Sequence, residues 1–448
     1  MEILLQPEGK TLEFKREIKK TDRFLQTVSS FANTAGGEIW IGIDDKTKSV
    51  YGIPDPLKEE ERIASIIADA ISPRLIPNIE IINYQSKSLL RVQIFPGSAK
   101  PYYIKSLGED KGSYIRIGST NRLADAALIQ DMKRLQLGGC FDETPYPAVS
   151  IDDLDKDEFQ KYLGAKGIAK NSMENLKLIT SEASRKVPTI GGVLLFGKNR
   201  HNYFPDALIK VGIFSGTDKS KLKEFVEFQQ YLPESIDRSL QYIHEQIKTE
   251  YDFTGSRRKM KYKLPPEALR EALINAVVHA DYSTQGTSIR VSIFADRIEI
   301  ENPGILPLGL TLDDIMSGVS KVRNKVIARY FEKAGLIEQW GSGVQRIIAT
   351  IEEQHLQAPL FEELGHHFRV TFYFQKQITQ DVELSKNEKV LLQSLTVKPM
   401  GTKDLAKKMK LSERTIRSLL QKLQEKSLVE HTGKDPFDPN KKFLIKKS

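Results

Sequence analysis

Apolar runs along this 448-residue chain are short, and that bounds the fold more tightly than any single motif. The longest candidate, Val193 to Phe196, is bounded by glycines and Lys198, far from the roughly 20 apolar residues that cross a bilayer. A membrane span is excluded, so the core must be assembled from short pieces in two to four domains of roughly 150 residues each. Cys140 is the single cysteine, so neither an internal disulfide nor a cysteine-based metal cluster holds those pieces together. Residues 1–8 lack a basic region followed by an apolar core, which argues against a secretory signal and makes the cytoplasm the expected location.

Charge is unevenly spread. Leu384 to Ser448 carries 16 Lys and Arg against 7 Asp and Glu, while the rest carries 51 against 52. A basic module behind a nearly neutral body points to a polyanionic partner; a solubilising tail would show the same count.

The pattern of elements is α+β with several domains. Over residues 1–136 a helix around Thr21 to Ala32 ends in Asn33-Thr34-Ala35-Gly36-Gly37, and the alternating Glu38 to Ile43 reads as a strand. Further strands fall at Ser88 to Phe95 and Gly112 to Ile117, and a helix at Ala124 to Leu135 completes the unit. Residues 137–152, with Gly138, Gly139, Pro145 and Pro147, read as a linker. In residues 153–378 the pattern predicts a helix at Lys156 to Leu163, strands at Gly191 to Gly197 and Ala207 to Phe214, and helices between Glu224 and Thr249. A helix after Pro265, the hairpin Arg290–Ile300, more helices and a strand at Phe368 to Phe374 follow. In residues 384–448, helices at Lys386 to Leu395 and Thr402 to Met409 precede one from Ser412. There Ile416, Leu419, Leu420 and Leu423 share a face. With a two-residue turn and a terminal hairpin this outlines a winged helix-turn-helix.

Gly192 to Asn199 nearly fits a phosphate-binding loop. Its inner residues Val-Leu-Leu-Phe call for a buried strand, and Asn199 stands where a magnesium-ligating hydroxyl is needed, so the match is rejected. A better nucleotide signal is the helix Glu271 to Tyr282, where Glu271 and Asn275 lie one turn apart on one face. A carboxylate beside a magnesium-ligating amide can activate water against a phosphate, although such pairs also decorate ordinary solvated faces. His279, near two acids, reads as a structural hydrogen-bonding group.

That helix, with Ile300-Glu301-Asn302-Pro303-Gly304, Lys321-Val322-Arg323-Asn324 and Gly335 to Gly343, resembles the GHKL ATPase superfamily in the divergent branch found in bacterial transcriptional regulators. The resemblance implies a GHKL-like α/β sandwich with ATP and Mg²⁺ as cofactors. Asn275 would hold the metal, Glu271 would serve as base, Gly304 would belong to the nucleotide site, and Gly341 and Gly343 to the lid. Glu301 would face the adenine in place of the superfamily's Asp, with Pro303 standing where glycine is expected.

Residues 8–135, through Glu8, Glu13-Phe14-Lys15, Phe31 to Gly37, Ile41 to Asp45 and Tyr114 to Ser119, resemble the Schlafen AlbA-type domain. That resemblance implies nucleic-acid binding, with RNA as well as DNA as a partner. In some relatives it implies metal-dependent cleavage, for which Glu8, Glu13 and Asp45 (or Asp44) would be the carboxylates. The competing reading pairs Glu13 with a nearby cation and leaves Asp44 and Asp45 capping a turn. Arg116 is a candidate phosphate contact. In the winged helix, Ser412 is an expected N-cap, Arg414, Thr415, Arg417 and Ser418 would reach base edges, and Lys403, Lys407, Lys408 and Lys422 would meet phosphates. The expected function is that of a cytoplasmic, homodimeric DNA-binding regulator modulated by ATP. The alternatives are a metal-dependent nuclease and a scaffold that binds no nucleotide.

Overall fold

The computed structural model describes residues 2–163, 172–252, 259–337, 343–374, 387–388, 391–392, 395, 400–409, 411–425, 429–431 and 442–445. The chain divides into two compact units, Met1–Lys376 and Gln377–Ser448.

The first unit opens with a four-stranded sheet. Strands β1 (Leu12–Lys15), β2 (Gly37–Ile41), β3 (Asn78–Tyr84) and β4 (Lys87–Ile94) take the order β1-β2-β4-β3, with β1 and β2 parallel. Helix α1 (Thr21–Asn33) buries Phe24, Val28 and Phe31 against Ile39, Ile41, Val92 and Ile94, each worth roughly 1.5–3 kcal/mol when removed from water. Asn33 ends the helix and is itself buried. Its amide donates to the carbonyls of Tyr102 and Tyr114 and accepts from Tyr102 N–H, tying α1 to two later segments. Gly37 has to be glycine, because a Cβ there would overlap the Phe31 ring. A ribbon of β5 (Tyr114–Ile117) and β6 (Thr120–Leu123) and helix α2 (Ala126–Gln136) complete this part.

The segment read as a linker is packed: Cys140, Asp142 and Val149 are buried. Gly191 to Gly197, expected as a strand, is the helix α3 (Ile190–Phe196), capped by Thr189 Oγ1 accepting from Gly192 N–H. Every residue of α3 is buried, and an all-apolar run carries no period to separate helix from strand. Gly191 and Gly192 admit Val326 and the Leu178 carbonyl so closely that a side chain would collide, so the run is packed rather than an open phosphate cradle. Between Glu224 and Thr249, expected as helical, a strand comes first and a helix follows.

A six-stranded sheet forms the centre. Strands β7 (Ile209–Phe214), β8 (Leu222–Phe228), β9 (Ile289–Ile293), β10 (Arg297–Pro303), β11 (Leu360–Leu364) and β12 (His367–Tyr373) take the order β8-β7-β9-β10-β12-β11. Helices α4 (Leu232–Gln246), α5 (Pro266–His279), α6 (Lys325–Lys333) and α7 (Gly343–Glu353) share a core with Ile209, Val291, Ile298, Ile300, Val370 and Phe372. Strand alternation sends Glu299, Glu301, Arg369 and Thr371 to the opposite face. The N-terminal part joins this core through Leu308, which packs with Ile115, Ile129 and Met132. Lys10 Nζ also meets both carboxylate oxygens of Glu363, at 2.8 and 2.7 Å.

The second unit contains strands β13 (Met400–Gly401), β14 (Val429–His431) and β15 (Lys442–Ile445) in the order β13-β15-β14, with helices α8 (Thr402–Met409) and α9 (Glu413–Glu425). Leu391, Leu395, Leu405, Ile416, Leu420 and Leu423 form its core.

Candidate functional site

Helix α5 sets the main site. It is apolar nearly all round and buried against the sheet, apart from the stripe that carries Glu271 and Asn275. The Asn275 amide donates to Glu271 Oε1 at 3.3 Å, and both residues line a cavity of about 380 Å³. Ile300, Val370, Phe361, Phe368 and Leu306 make its apolar walls. Such a space suits a flat aromatic base, with a few polar groups to orient it.

Glu301 is not among those groups. Register pairs it with Arg369 across the β10–β12 ladder, and Arg369 donates to Glu301 Oε2 from Nε and Nη2 at 3.2 and 2.8 Å. Burial works against its charge, yet Arg369 wins and holds the carboxyl below its ordinary value. Alternation along β10 turns Asn302 into the cavity instead. Glu301, expected to face the adenine, therefore lies on the other face of the sheet from the cavity, and Asn302-Pro303-Gly304 has the polar-x-Gly spacing that Glu301 lacks. The Asn302 Nδ2 donates to the Pro303 carbonyl at 3.0 Å, which leaves Oδ1 as the group able to accept from a ligand amine. Asn302 could have been found from the sequence by phasing the strand on its apolar neighbours Ile298 and Ile300.

The glycines follow the site closely. Gly304 has φ +95°, and a Cβ there would crowd Asp281 and Arg323. Gly343 begins α7, where a methyl group would land on Glu271 Oε1. Gly341 lies outside the described residues. Arg346 Nη1 stands 3.8 Å from Glu271 Oε2. His279 also lines the cavity; burial and then the nearby Arg323 push its pKa down to about 4, so the ring is neutral at pH 7. The oxygens of Glu271 and Asn275 are hard ligands of the kind Mg²⁺ takes.

The N-terminal carboxylates do not converge. Glu8 Oε1 accepts from Phe14 N–H at 2.7 Å. Glu13 is held between Lys15 at 2.6 Å and Arg116 at 2.5 Å. Asp45 is exposed, and Asp44 Oδ1 accepts from Lys46 N–H, Thr47 N–H and the Thr47 hydroxyl. Among the described residues no group of three or more acidic, histidine or cysteine side chains could hold a metal ion. Arg116 is also not a surface phosphate contact: its side chain is 1 % exposed, and it donates to Glu13, the Gly9 carbonyl and Asn121 Oδ1. A buried cation needs such partners to offset its lost hydration.

In the winged helix the Ser412 hydroxyl accepts from Thr415 N–H at 3.1 Å, so the N-cap forms. Arg414, Thr415, Arg417, Ser418, Lys408 and Lys422 are exposed, while Ile416, Leu420 and Leu423 face the core. Arg417 is paired loosely with Glu413 at 3.2 Å. The side chains of Lys403 and Lys407 lie outside the described residues.

Three stretches of the chain match known families. Residues 8–125 match the Schlafen, AlbA_2 family. Residues 286–372 match HATPase_c_4, "Putative ATP-dependent DNA helicase recG C-terminal". Residues 383–433 match the helix-turn-helix domain of the M protein trans-acting positive regulator Mga. The chain carries the domain set of the multidomain regulator family that its sequence resembles. Among solved structures, it is 16 % identical to the DIP2311 protein from Corynebacterium diphtheriae, with 97 % of this chain and 95 % of that one covered at a TM-score of 0.44. It is 28 % identical to the N-terminal domain of a RecG-related protein from Nitrosomonas europaea, with 28 % and 91 % covered at a TM-score of 0.23. The helix-turn-helix match supports DNA binding and the ATPase-like match supports a role for nucleotide. Among the described residues no helix is long and apolar enough to cross a membrane.

Proposed function

We propose that this protein is a DNA-binding transcriptional regulator whose central domain takes ATP, and that nucleotide occupancy alters its affinity for DNA. The observation that carries the reading is the convergence of Glu271, Asn275 and Asn302 on one apolar cavity, beside a matched ATPase-like sheet.

In this reading the adenine lies between Ile300, Val370 and Phe361, and its amine donates to Asn302 Oδ1. Asn275 Oδ1 would hold Mg²⁺, which supplies charge neutralisation of the phosphates when bound. Glu271 stands where it can orient or deprotonate a water, and Arg346 keeps that carboxylate in place. The winged helix reads duplex DNA through Arg414 and Arg417, with lysines adding sequence-blind, salt-dependent affinity.

Calorimetry with ATP and Mg²⁺, wild type against Asn275→Ala, tests the site: a saturable heat in the wild type that disappears in the variant is expected. Absence of heat in the wild type rejects nucleotide binding. Fluorescence anisotropy on duplex DNA, with and without ATP, tests the link to the winged helix, and identical affinities would reject it.

A further inference from the structure

The central sheet ends in two edge strands that are finished differently. At one end β11 carries Glu362 and Glu363, and the Glu363 carboxylate is taken by Lys10 Nζ and by Leu306 N–H. At the other end β8 is bonded to β7 alone. It is seven residues long without a proline, and Leu222 to Phe225 are exposed. From Glu224 to Glu227 its outward N–H and C=O groups have no backbone partner among the described residues. An open edge of this kind is a template for another strand. We propose that β8 pairs antiparallel with β8 of a second copy of this chain, about a two-fold axis at Phe225, so that one sheet runs through both copies.

The charge pattern selects both the partner and the register. With Phe225 on the axis, Lys223 of each copy stands opposite Glu227 of the other, Glu224 stands opposite Val226, and no like charges meet. An axis at Lys223 or Glu224 sets that residue against itself, and an axis at Val226 sets Phe225 against Glu227. Opposite charges facing each other across a ladder stabilise it, and like charges destabilise it. A contact between identical copies requires a patch complementary to itself, which a foreign peptide does not. The self-matched order Lys-Glu-Phe-Val-Glu therefore points to a second copy.

The side chains are placed for this pairing. The β7–β8 register steps from Glu224 to Leu222, so Lys223 sits in a bulge with no partner on β7. A bulge re-aims the side chain of its extra residue, and Lys223 has no ion pair among the described residues, so its long stem can reach across the axis. Glu227 stands opposite Lys210 and meets its Nζ at 3.0 Å, and Lys210 Nζ lies 5.9 Å from the centre of the Phe225 ring. Phe225 and Glu227 thus lie on the sheet face away from the helices, since the neighbouring Ile209 and Val211 belong to the core. Phe225 is 49 % exposed and Leu222 53 %. Gly212, opposite Phe225, leaves space on that face for Phe214 and Leu222, and Phe214 stacks on Phe294 with ring centres 5.1 Å apart. Pairing about Phe225 sets the two exposed rings against each other and extends this apolar row across the junction. The dimer carries two winged helices, so a duplex with two half-sites engages both. None of this depends on nucleotide binding.

Sedimentation velocity of the full chain over a concentration series tests the proposal. The wild type should pass from monomer to dimer as concentration rises. Lys223→Glu and Glu227→Lys should each weaken the dimer by about tenfold or more, because each sets two like-charged pairs face to face. Mixed in equal amounts, the two variants should regain the wild-type dimer, since each supplies the charge that the other lacks at both crossings. Such recovery cannot come from a folding defect in either variant. Phe225→Cys places a thiol opposite its own copy and should cross-link under mild oxidation, whereas Glu227→Cys, opposite Lys223, should not. A wild type that stays monomeric, single variants that dimerise as the wild type does, a mixture of folded variants that fails to recover, or equal cross-linking through both cysteines would each overturn the proposal.

Discussion

Arg116 and Glu13, 103 positions apart in sequence, form a buried ion pair that closes the entrance strand β1 onto the β5–β6 ribbon. Removing one partner of a buried pair strands the other charge. Arg116→Met should therefore destabilise the first unit by about 3 kcal/mol, read as a lower urea midpoint with unchanged slope. Glu13→Gln should destabilise it too, and the double variant should cost less than the sum.

Asn302 and Glu301 make a sharp contrast. Asn302→Leu should weaken ATP at least tenfold, about 1.4 kcal/mol, in the calorimetric titration. Glu301→Gln, on the opposite sheet face, should leave the ATP affinity within a factor of two. The reverse outcome would return base reading to Glu301.

At Gly343 the contact with Glu271 leaves no room for a methyl group. Gly343→Ala should lower stability by about 1–3 kcal/mol through the forced shift of α7, and should reduce ATP affinity with it. Thermal melting and calorimetry on one sample measure both.

Asp142 gives a pH signature. Burial raises its carboxyl to about 7, even though Oδ2 accepts from Val326 N–H and Ile327 N–H at the start of α6. Because the folded value exceeds the unfolded one, the stability it contributes is complete below about 4 and is lost as pH rises through about 7. Between those limits the wild type should lose stability with rising pH relative to Asp142→Asn. Parallel curves for the two proteins would remove Asp142 from the account.

For the second unit, Lys408→Ala and Lys422→Ala should each reduce the salt slope of duplex binding by about one. Arg414→Ala should instead cost about 1–3 kcal/mol on the preferred sequence and little on random duplex.

Periodic signals carried most of the fold. The α1 helix, the β2 and β4 strands, the β9–β10 hairpin and the winged helix each have a clear period or turn. What failed had no period: α3 is apolar throughout, and the segment at 137–152 looked like a linker because its glycines and prolines hide how deeply Asp142 is buried. The common face of Glu271 and Asn275 was legible because helix spacing fixes it. The side of the sheet that Glu301 takes was hidden because a motif carries no strand phase, whereas its pairing with Arg369 follows from that phase. The fate of Glu13 was legible only as an alternative, since no sequence rule pairs it with a residue as distant as Arg116.

The carboxylate of Asp142 finally bears on how this protein can be cut or recombined. It sits in what looks like a hinge between modules, yet it supplies the cap for a helix nearly two hundred residues downstream. A fragment beginning at residue 153 would carry α6 with bare N–H groups, an open space where Cys140 and Val149 pack, and Leu308 exposed to solvent. Such a piece should be sticky and protease-sensitive, so swapping the N-terminal module between relatives would require carrying residues 137–152 along with the central domain.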